Sequence, residues 1–374
     1  MDSLEAFTGA YSEKLINKAY QRRIPISGTF ELLPVCNMRC RMCYIQHTPQ
    51  REELQPADFF MDVMEQAMAQ GMLFPLLTGG EPFLYPEFDR LYERIAGMPV
   101  HVSINTNATL LDRERVAFLA KHPPQWLNIS LYGSSDETYA RLCGNPNGFT
   151  QVMRAFDLLK EYGILFRVHG VRVPENAADC RAFAEICNRY QVPLETTGYM
   201  FPSYRKEESC VQAQDRFSPQ EMAEQSIVYV RDCYAGRDQV YWQEVERLCA
   251  MLEKPESSSR YGDNKVKCRG GTCTFWVDWR GNLSGCGMHN QHGVDLHATP
   301  FAQAWKTIVE DTRRLRLSEK CRFCKYRCIC PTCAAAAFCE TGKMDGTPEY
   351  LCAFSEEYAR LLLAERSRIR SEER

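Results

Sequence analysis

The sequence has no hydrophobic run long enough to cross a membrane. Its best apolar stretch, residues 72–78, is the length of a strand, whereas a spanning helix needs about 20 such residues. Residues 1–18 contain acids and lack the basic and apolar regions of a signal peptide. A net charge of −3 provides no basic excess for nucleic acid. These absences predict a cytoplasmic protein that binds neither a membrane nor nucleic acid.

Cysteine, by contrast, is abundant and unevenly placed. The chain has 19 cysteines in 374 residues, and ten of them lie between Cys268 and Cys352. A disulfide framework needs an oxidising compartment, and nothing in the sequence points to export. Clustered cysteines in a reducing compartment more often bind metal. The uneven distribution also predicts a domain boundary near residue 265.

Short apolar runs alternate with longer amphipathic runs between residues 27 and 200. This alternation predicts parallel strands joined by right-handed helical crossovers, which is an α/β fold built as an open or partial (βα)6 barrel. The chemistry of such a fold lies at the carboxyl ends of the strands. The predicted strands are 29–34, 73–78, 100–106, 126–132, 165–173 and 193–199, and the predicted helices between them are 56–69, 87–97, 112–121, 149–162 and 178–190.

The rest of the chain divides by composition. Residues 1–26 are an N-terminal extension, and residues 201–265 form a helical linker or bridging region. Residues 266–353 are cysteine-rich, with a predicted hairpin (274–279 and 282–286) and helices. Residues 354–374 form a charged amphipathic helix that we expect to pack on the fold and not to act in catalysis.

Three cysteines follow the first predicted strand on a single loop: Cys36, Cys40 and Cys43. Three thiolates hold three irons of a cubane cluster and leave the fourth iron without a protein ligand. That iron is then open to a small molecule. The alternative for this motif is a zinc site completed by a distant residue such as His47.

The second predicted strand ends in Gly79-Gly80-Glu81-Pro82, where two glycines let the backbone approach a ligand closely. Read alone, this is a turn before a helix. Together with the cysteine loop, it resembles the radical S-adenosylmethionine (SAM) superfamily over residues 27–200. One departure is Met42, where the family usually has an aromatic residue.

The resemblance implies that Cys36, Cys40 and Cys43 hold a [4Fe–4S] cluster whose open iron chelates SAM. Reductive cleavage of SAM then yields a 5′-deoxyadenosyl radical that abstracts a hydrogen atom from substrate. The implied SAM contacts are Gly79, Gly80, Glu81, Pro82, Thr106, Asn107, Ser130 and Arg141, with residues 131–133 and Asn176 as further positions.

A zinc ribbon uses four cysteines in two close pairs, whereas eight of the C-terminal cysteines have spacings that suit two clusters. They resemble the SPASM domain, which implies a radical SAM barrel followed by a small cysteine-rich domain with two auxiliary [4Fe–4S] clusters. By position, Cys268, Cys273, Cys286 and Cys333 hold auxiliary cluster I, and Cys321, Cys324, Cys330 and Cys352 hold auxiliary cluster II. Three clusters are thus expected in all. Cys328 and Cys339 are spare thiols that can exchange with these ligands.

Auxiliary clusters of this kind transfer electrons, so we expect an oxidised product. The leading hypothesis is oxidative modification of a ribosomally made peptide, by a thioether or another crosslink. Formylglycine formation is the alternative, although its family places an Asp after the third cysteine of cluster I, where this chain has Gly287-Met288-His289. Dehydrogenation of a small molecule and a non-catalytic iron–sulfur or zinc protein are also open. We assign no catalytic side chain.

The expected partners follow from the same resemblance. They are a peptide substrate and a flavodoxin- or ferredoxin-type electron donor. Only about 26 residues precede the first strand, so we expect no built-in leader-recognition domain; the peptide binds directly or through a separate leader-recognition protein. His169, Arg172 and Tyr132 are predicted to point into the barrel, as substrate contacts or as core polar residues. Residues 200–205 form a cavity wall or a surface loop, and Cys143 and Cys210 are loop thiols of interest.

Overall fold

The computed structural model describes residues 3–43, 54–202, 215–233, 238–253, 264–288 and 293–372. These residues form one nine-stranded sheet with helices packed against it. The strands are β1 (Ser27–Glu31), β2 (Phe74–Thr78), β3 (Ser103–Thr106), β4 (Trp126–Leu131), β5 (Phe166–Val171), β6 (Leu194–Thr197), β7 (Thr274–Val277), β8 (Asn282–Ser284) and β9 (Val294–Asp295). The helices are α1 (Ser3–Arg22), α2 (Ala57–Ala69), α3 (Phe88–Ala96), α4 (Arg113–Lys121), α5 (Asp136–Cys143), α6 (Gly148–Glu161), α7 (Cys180–Tyr190), α8 (Pro219–Cys233), α9 (Asp238–Glu253), α10 (Phe301–Arg314), α11 (Glu319–Arg322), α12 (Ala334–Thr341) and α13 (Glu349–Glu372), with short 3-10 helices at Pro82–Leu84 and Pro174–Asp179.

Strands β1 to β6 are parallel and adjacent in chain order, and a helix follows each of the first five. The predicted partial (βα)6 barrel is therefore confirmed. Side chains alternate along β5, where Phe166 and Val168 are buried in the core while Arg167 and His169 face the barrel cavity. The fold thereby presents alternate residues of each strand to one interior space.

Two helices were not predicted from the sequence. Helix α5 begins at the N-cap Ser135, whose side chain accepts a hydrogen bond from the Thr138 amide, and it ends at Gly144 in the left-handed conformation. Helix α1 occupies most of the predicted N-terminal extension. Its residue Ala19 is buried with Ile26 and Cys273, so the extension packs against the start of the cysteine-rich region.

The cysteine-rich region joins the barrel through its predicted hairpin, β7 and β8. Strand β7 pairs in parallel with β1, in the register Ser27↔Thr274, so β1 lies between a barrel strand and the hairpin. Gly28 makes this possible, because a Cβ at that position would come within 2.2 Å of the Phe275 ring. The hairpin is therefore an extension of the barrel sheet. The expected boundary near residue 265 falls beside residues 254–263, which lie outside the described residues.

Helix α13 packs on α8 and α9, as expected for a packing element. The Tyr241 hydroxyl donates a hydrogen bond of 2.5 Å to Glu365, which also accepts from Arg231 and Arg368. Burying one carboxylate among these donors ties three segments of the chain together. Within the described residues, no helix is both long and apolar enough to cross a membrane.

Candidate active site

The barrel encloses a cavity of about 520 Å³ at the carboxyl ends of its strands. Eight of the residues predicted to bind the cluster or SAM line it: Cys36, Cys40, Cys43, Gly79, Gly80, Thr106, Asn107 and Ser130. The remaining wall includes apolar side chains from β6 onward and Met288 from the cysteine-rich region. The cavity therefore places the cysteine loop, the glycine motif and the hairpin around one space.

Backbone hydrogen bonds hold the cysteine loop against the glycine motif. The amide of Gly80 donates to Leu33 O at 2.8 Å, and that of Glu81 donates to Val35 O at 2.9 Å. A Cβ on Gly80 would lie 2.1 Å from Val35 O and 2.9 Å from Cys36 N, so only glycine allows this approach. The glycine motif thus holds the cysteine loop in place through its backbone.

Three thiols on one cavity wall match the three protein ligands of an open iron–sulfur cluster. Burial, together with the charges of Glu81, Cys40 and Cys43, raises the pKa of Cys36 to about 12. The pKa of Cys40 is held well above its ordinary value by a hydrogen bond with Cys143 and by burial. Buried thiols that repel one another's charge are stabilised as thiolates when iron binds. The donor set therefore fits a cluster; His47, the alternative zinc ligand, lies outside the described residues.

Hydrogen-bond donors surround the Cys36 sulfur. The amide of Met38 donates to it at 3.4 Å, and Asn107 Nδ2 lies 3.6 Å away. Asn107 Nδ2 also donates to Asn37 at 2.9 Å, which fixes its side chain beside the loop. Donors to a ligand sulfur tune the reduction potential of a bound cluster.

Glu81 is fully buried, and its carboxylate faces the end of β3. It accepts hydrogen bonds from Thr106 Oγ1 at 2.8 Å and from the Asn107 amide at 2.8 Å, besides a longer one from Phe83 N. Burial raises the pKa of Glu81 to about 7, against the effect of these donors. Its side chain is absent from the cavity wall, so Glu81 positions Thr106 and Asn107 while its backbone seats the loop.

Pro82 and Arg141, two further predicted contacts, also lie away from the cavity wall. Pro82 begins a short 3-10 helix and is buried. Arg141 is exposed and pairs with Glu137 and Glu175, each at 2.6 Å. Neither side chain is brought to the predicted SAM-binding residues.

Several other residues named from the sequence have structural partners. Asn176 is buried and donates to Tyr132 O and Val171 O, both at 2.7 Å, which ties the ends of β4 and β5 together. Arg172 is buried and donates to Gln225 O at 2.7 Å, away from the cavity. His169 and Tyr132 do line the cavity, as do Met200 and Phe201. Residues 203–205, Cys210 and His289 lie outside the described residues.

Sequence reasoning missed a polar row inside the barrel. Arg167 Nε donates to Asn128 Oδ1 at 2.5 Å, and Asn128 Nδ2 donates to Asn105 Oδ1 at 2.7 Å. All three side chains line the cavity. A weak signal was present, since each is a polar residue within a predicted strand.

The four cysteines predicted for auxiliary cluster II are brought together. Cys321, Cys324, Cys330 and Cys352 line one cavity of about 130 Å³. Cys328 is not part of this wall; its thiol lies 3.8 Å from Lys325 O. Four thiols around a closed space fit a fully ligated cluster.

Three of the four cysteines predicted for auxiliary cluster I share a second cavity of about 120 Å³: Cys268, Cys286 and Cys333. Cys273 is fully buried in the small apolar cluster with Ala19 and Ile26, and it is absent from this wall. Burial raises the pKa of Cys339, and the charges of the nearby Cys333 and Cys286 raise it further. The structure thus leaves two cysteines near the fourth ligand position.

The comparisons with known proteins agree with this geometry. Residues 30–197 match the profile of the Radical SAM superfamily. The chain is 25% identical over 334 residues to AdoMet-dependent heme synthase of Methanosarcina barkeri, covering 84% of this chain and 92% of that protein. It is 27% identical over 146 residues to AlbA, the antilisterial bacteriocin subtilosin biosynthesis protein of Bacillus subtilis, covering 39% of this chain and 33% of that protein.

The fold is similar to that of Streptococcus suis SuiB bound to its precursor peptide SuiA. The TM-score is 0.68 at 18% identity, and the match covers 94% of this chain and 81% of that chain. A three-cysteine loop at the carboxyl edge of a partial (βα)6 barrel is the arrangement of an enzyme that uses SAM. Residues 30–197 belong to the Radical SAM superfamily, and the chain is a radical SAM enzyme. This family implies a [4Fe–4S] cluster and SAM in the barrel.

Proposed function

We propose that this enzyme carries three [4Fe–4S] clusters and oxidatively modifies a ribosomally synthesised peptide, by a thioether or another crosslink. The observation that carries the proposal is the position of Met288. It lines the barrel cavity together with Cys36, Cys40 and Cys43, and it lies two residues after Cys286 of the predicted auxiliary site. A substrate in this cavity would lie between a radical-generating site and an electron acceptor.

In the proposed site, Cys36, Cys40 and Cys43 hold the first cluster. The Gly79 and Gly80 backbone, with Thr106, Asn107 and Ser130, holds SAM. Bound there, the cluster and SAM supply hydrogen-atom abstraction. The protein's own contribution is to fix these groups through the Glu81 hydrogen bonds and to enclose the reacting centre.

The proposed auxiliary clusters explain why the cysteine-rich region is joined to the barrel sheet. Cluster I would use Cys268, Cys286 and Cys333 with one further cysteine, and cluster II would use the four cysteines of the 130 Å³ cavity. An oxidised product requires that the substrate lose an electron after the hydrogen atom is abstracted. A fully ligated cluster beside the cavity is suited to accept it.

A peptide substrate is supported by the similarity to AlbA, a bacteriocin biosynthesis protein, and to SuiB, whose structure contains a bound precursor peptide. Formylglycine formation is less well supported. Its Asp would replace Gly287, where an added Cβ would lie 2.6 Å from the Trp276 ring. That position has no room for a side chain unless the tryptophan moves.

A second candidate is an oxidative reaction on a tetrapyrrole-like small molecule. The observation that favours it is the extent of the match to the heme synthase, which covers 84% of this chain, whereas the AlbA match covers 39%. The same site residues serve both candidates. The substrate therefore has to be identified directly.

We also propose a flavodoxin- or ferredoxin-type electron donor that docks beside the proposed cluster II. Residues 319–327 contain four basic residues and one acidic residue. Phe323, within this segment, is 74% exposed, and the ligand Cys352 is exposed as well. Such donors are acidic, so a basic surface with an exposed aromatic residue suits them. A separate leader-recognition protein stays a further proposed partner.

The test is anaerobic co-expression with each short peptide encoded beside the gene, followed by intact mass measurement. Loss of two hydrogens with a cysteine that no longer alkylates is the expected result for a thioether. The same loss with all thiols free would identify another crosslink. The control is the variant Cys36→Ala/Cys40→Ala/Cys43→Ala, which should leave every peptide unchanged. The peptide proposal is wrong if purified enzyme forms 5′-deoxyadenosine while every peptide keeps its mass and none takes up deuterium from the solvent.

A further inference from the structure

A polar row crosses the floor of the barrel cavity. The strand register places Asn105 opposite Asn128, and Asn128 opposite Arg167. The hydrogen bonds of 2.7 Å and 2.5 Å between these side chains hold the Arg167 guanidinium in one orientation. Its carbon also lies 5.9 Å from the Trp126 ring. An arginine fixed in this way loses little side-chain entropy when it binds a ligand.

This row lies below the proposed SAM site. Asn107, Ser130 and His169 each follow a member of the row by two residues, on or just after the same strand, and they line the same cavity. Two residues of strand span about 7 Å. Arg167 is therefore about two residues deeper in the barrel than the glycine motif, in the same cavity.

The charge of the cavity is one-sided. Among the described residues that line it, Arg167 and His169 are basic and none is an aspartate or glutamate. The nearest acid is Glu195, a side chain 63% exposed, which lies 4.0 Å from Arg167 Nη1 and 3.5 Å from His169 Nδ1. In the described part of the chain, the two terminal nitrogens of Arg167 have no hydrogen-bond acceptor within bonding distance. The guanidinium thus has donors left for a ligand.

We infer that Arg167, supported by Asn128 and with His169 beside it, binds a carboxylate of the substrate. This inference rests on the proposed function and names the substrate class of the same site. The carboxylate is either an acidic side chain or C-terminus of a peptide, or a propionate of a tetrapyrrole. Both present the planar pair of oxygens that a guanidinium binds through two parallel hydrogen bonds.

The test measures binding to the reconstituted, SAM-loaded enzyme under argon by isothermal titration calorimetry. One probe pair is Ac-Gly-Glu-Gly-NH2 and Ac-Gly-Gln-Gly-NH2; the other is coproporphyrin III and its tetraamide. In the wild type, we expect at least one acid to bind about tenfold or more tightly than its amide. Arg167→Gln should abolish that preference. The matched control is Arg113→Gln, at an exposed arginine paired with Glu161 at 2.6 Å, which should keep it.

Equal affinity for acid and amide in both pairs would overturn the inference, as would an equal loss of preference in the control variant. The affinity for SAM distinguishes a third outcome. If Arg167→Gln weakens SAM binding more than about tenfold, the guanidinium binds the carboxylate of SAM and the inference is wrong. Failure of the proposed function can be distinguished from failure of this inference. If only the porphyrin acid binds more tightly than its amide, and no co-expressed peptide is modified, the carboxylate site is supported and the peptide substrate is refuted.

Discussion

The Glu81 carboxylate accepts a hydrogen bond of 2.8 Å from the backbone amide of Asn107, inside the protein and behind the active-site wall. This bond joins the end of β2 to the residue that approaches the Cys36 sulfur. A glutamine at position 81 would direct an amide group at one of these donors. We expect Glu81→Gln to cost about 1 to 3 kcal/mol of stability, with the largest cost at low pH, where the wild-type carboxyl group is protonated.

The same residue predicts a pH dependence. Burial raises the pKa of Glu81 from 4.5 to about 7, so the folded protein holds this proton more tightly than the unfolded chain. The wild type therefore loses stability, relative to Glu81→Gln, as the pH rises from 4.5 to about 7. Thermal unfolding midpoints of both proteins across this range measure the difference. Glu137→Gln, at an exposed carboxylate, is the control; a midpoint difference independent of pH would contradict the raised pKa.

Gly80→Ala should displace the cysteine loop, because its Cβ would lie 2.1 Å from Val35 O. Neither partner at this contact is a flexible side chain, so the backbone must move. We expect reconstituted Gly80→Ala to lose most of the barrel cluster, about four irons per chain, and SAM cleavage with it. Gly97→Ala is the control, since its Cβ would meet ordinary contacts of 3.5 Å. Equal iron contents in the two variants would show that the close approach is dispensable.

The sequence predicted the barrel strands from short apolar runs between longer helical patterns, although β3 and β6 themselves are largely polar. Helix α5 was not predicted, although Ser135-Asp136-Glu137 is a clear helix start. The segment directly follows the end of β4, whose residues were interpreted as SAM contacts. The pairing of β7 with β1 had no local signal, since 245 residues separate Glu31 from Trp276, which donates to it at 2.9 Å. Long-range pairing depends on close approaches such as that at Gly28, and a single sequence does not reveal them.

The structure brings together most of the predicted cysteines, whereas side-chain direction could not be predicted from the sequence. The cysteine loop and the four cysteines of the second auxiliary site were named from the resemblance to radical SAM and SPASM proteins, and the structure places each set around one cavity. The role of Arg141 could not be predicted, because the same sequence allows this arginine either to pair with Glu175 or to contact SAM. Arg167 was overlooked because its orientation depends on Asn128 and Asn105, which come from two other strands.

Cluster II should be lost independently of the barrel cluster. We expect Cys324→Ser/Cys330→Ser to reduce the iron content by about four per chain, because both thiols line the 130 Å³ cavity. SAM cleavage without substrate should persist, since the barrel site is separate. Cys328→Ser, in the same segment but outside the cavity wall, should retain all iron. If Cys328→Ser loses as much iron as the double variant, the ligand assignment is wrong.

The fourth ligand of cluster I can be assigned by comparing Cys273→Ser with Cys339→Ser. The resemblance to the SPASM domain implies Cys273, whereas in the structure that side chain is buried beside Ala19 and Ile26 and does not line the cavity. We expect Cys273→Ser to alter the electron paramagnetic resonance signal of one auxiliary cluster, because Cys273 lies close enough to Cys268 that, after burial, the charge of that thiolate raises the pKa of Cys273 further. Cys339→Ser should leave the signal unchanged. The reverse result would assign Cys339, whose thiol lies 3.9 Å from Met288 O at the cavity.

Charge reversal beside cluster II should slow reduction by the protein donor. Lys320 and Lys325 are exposed on either side of Phe323, so Lys320→Glu/Lys325→Glu replaces an attractive surface with a repulsive one. We expect reduction by reduced flavodoxin, followed by stopped-flow absorbance, to slow about tenfold at low salt. The difference should shrink as ionic strength rises from about 0.05 to about 0.5 M, because salt screens exposed charges. Reduction by dithionite should be unchanged. The control variant Lys160→Glu, at an exposed lysine of α6, should be reduced by flavodoxin as fast as the wild type. An equal effect of Lys160→Glu would mean that net charge, and not this surface, governs the encounter.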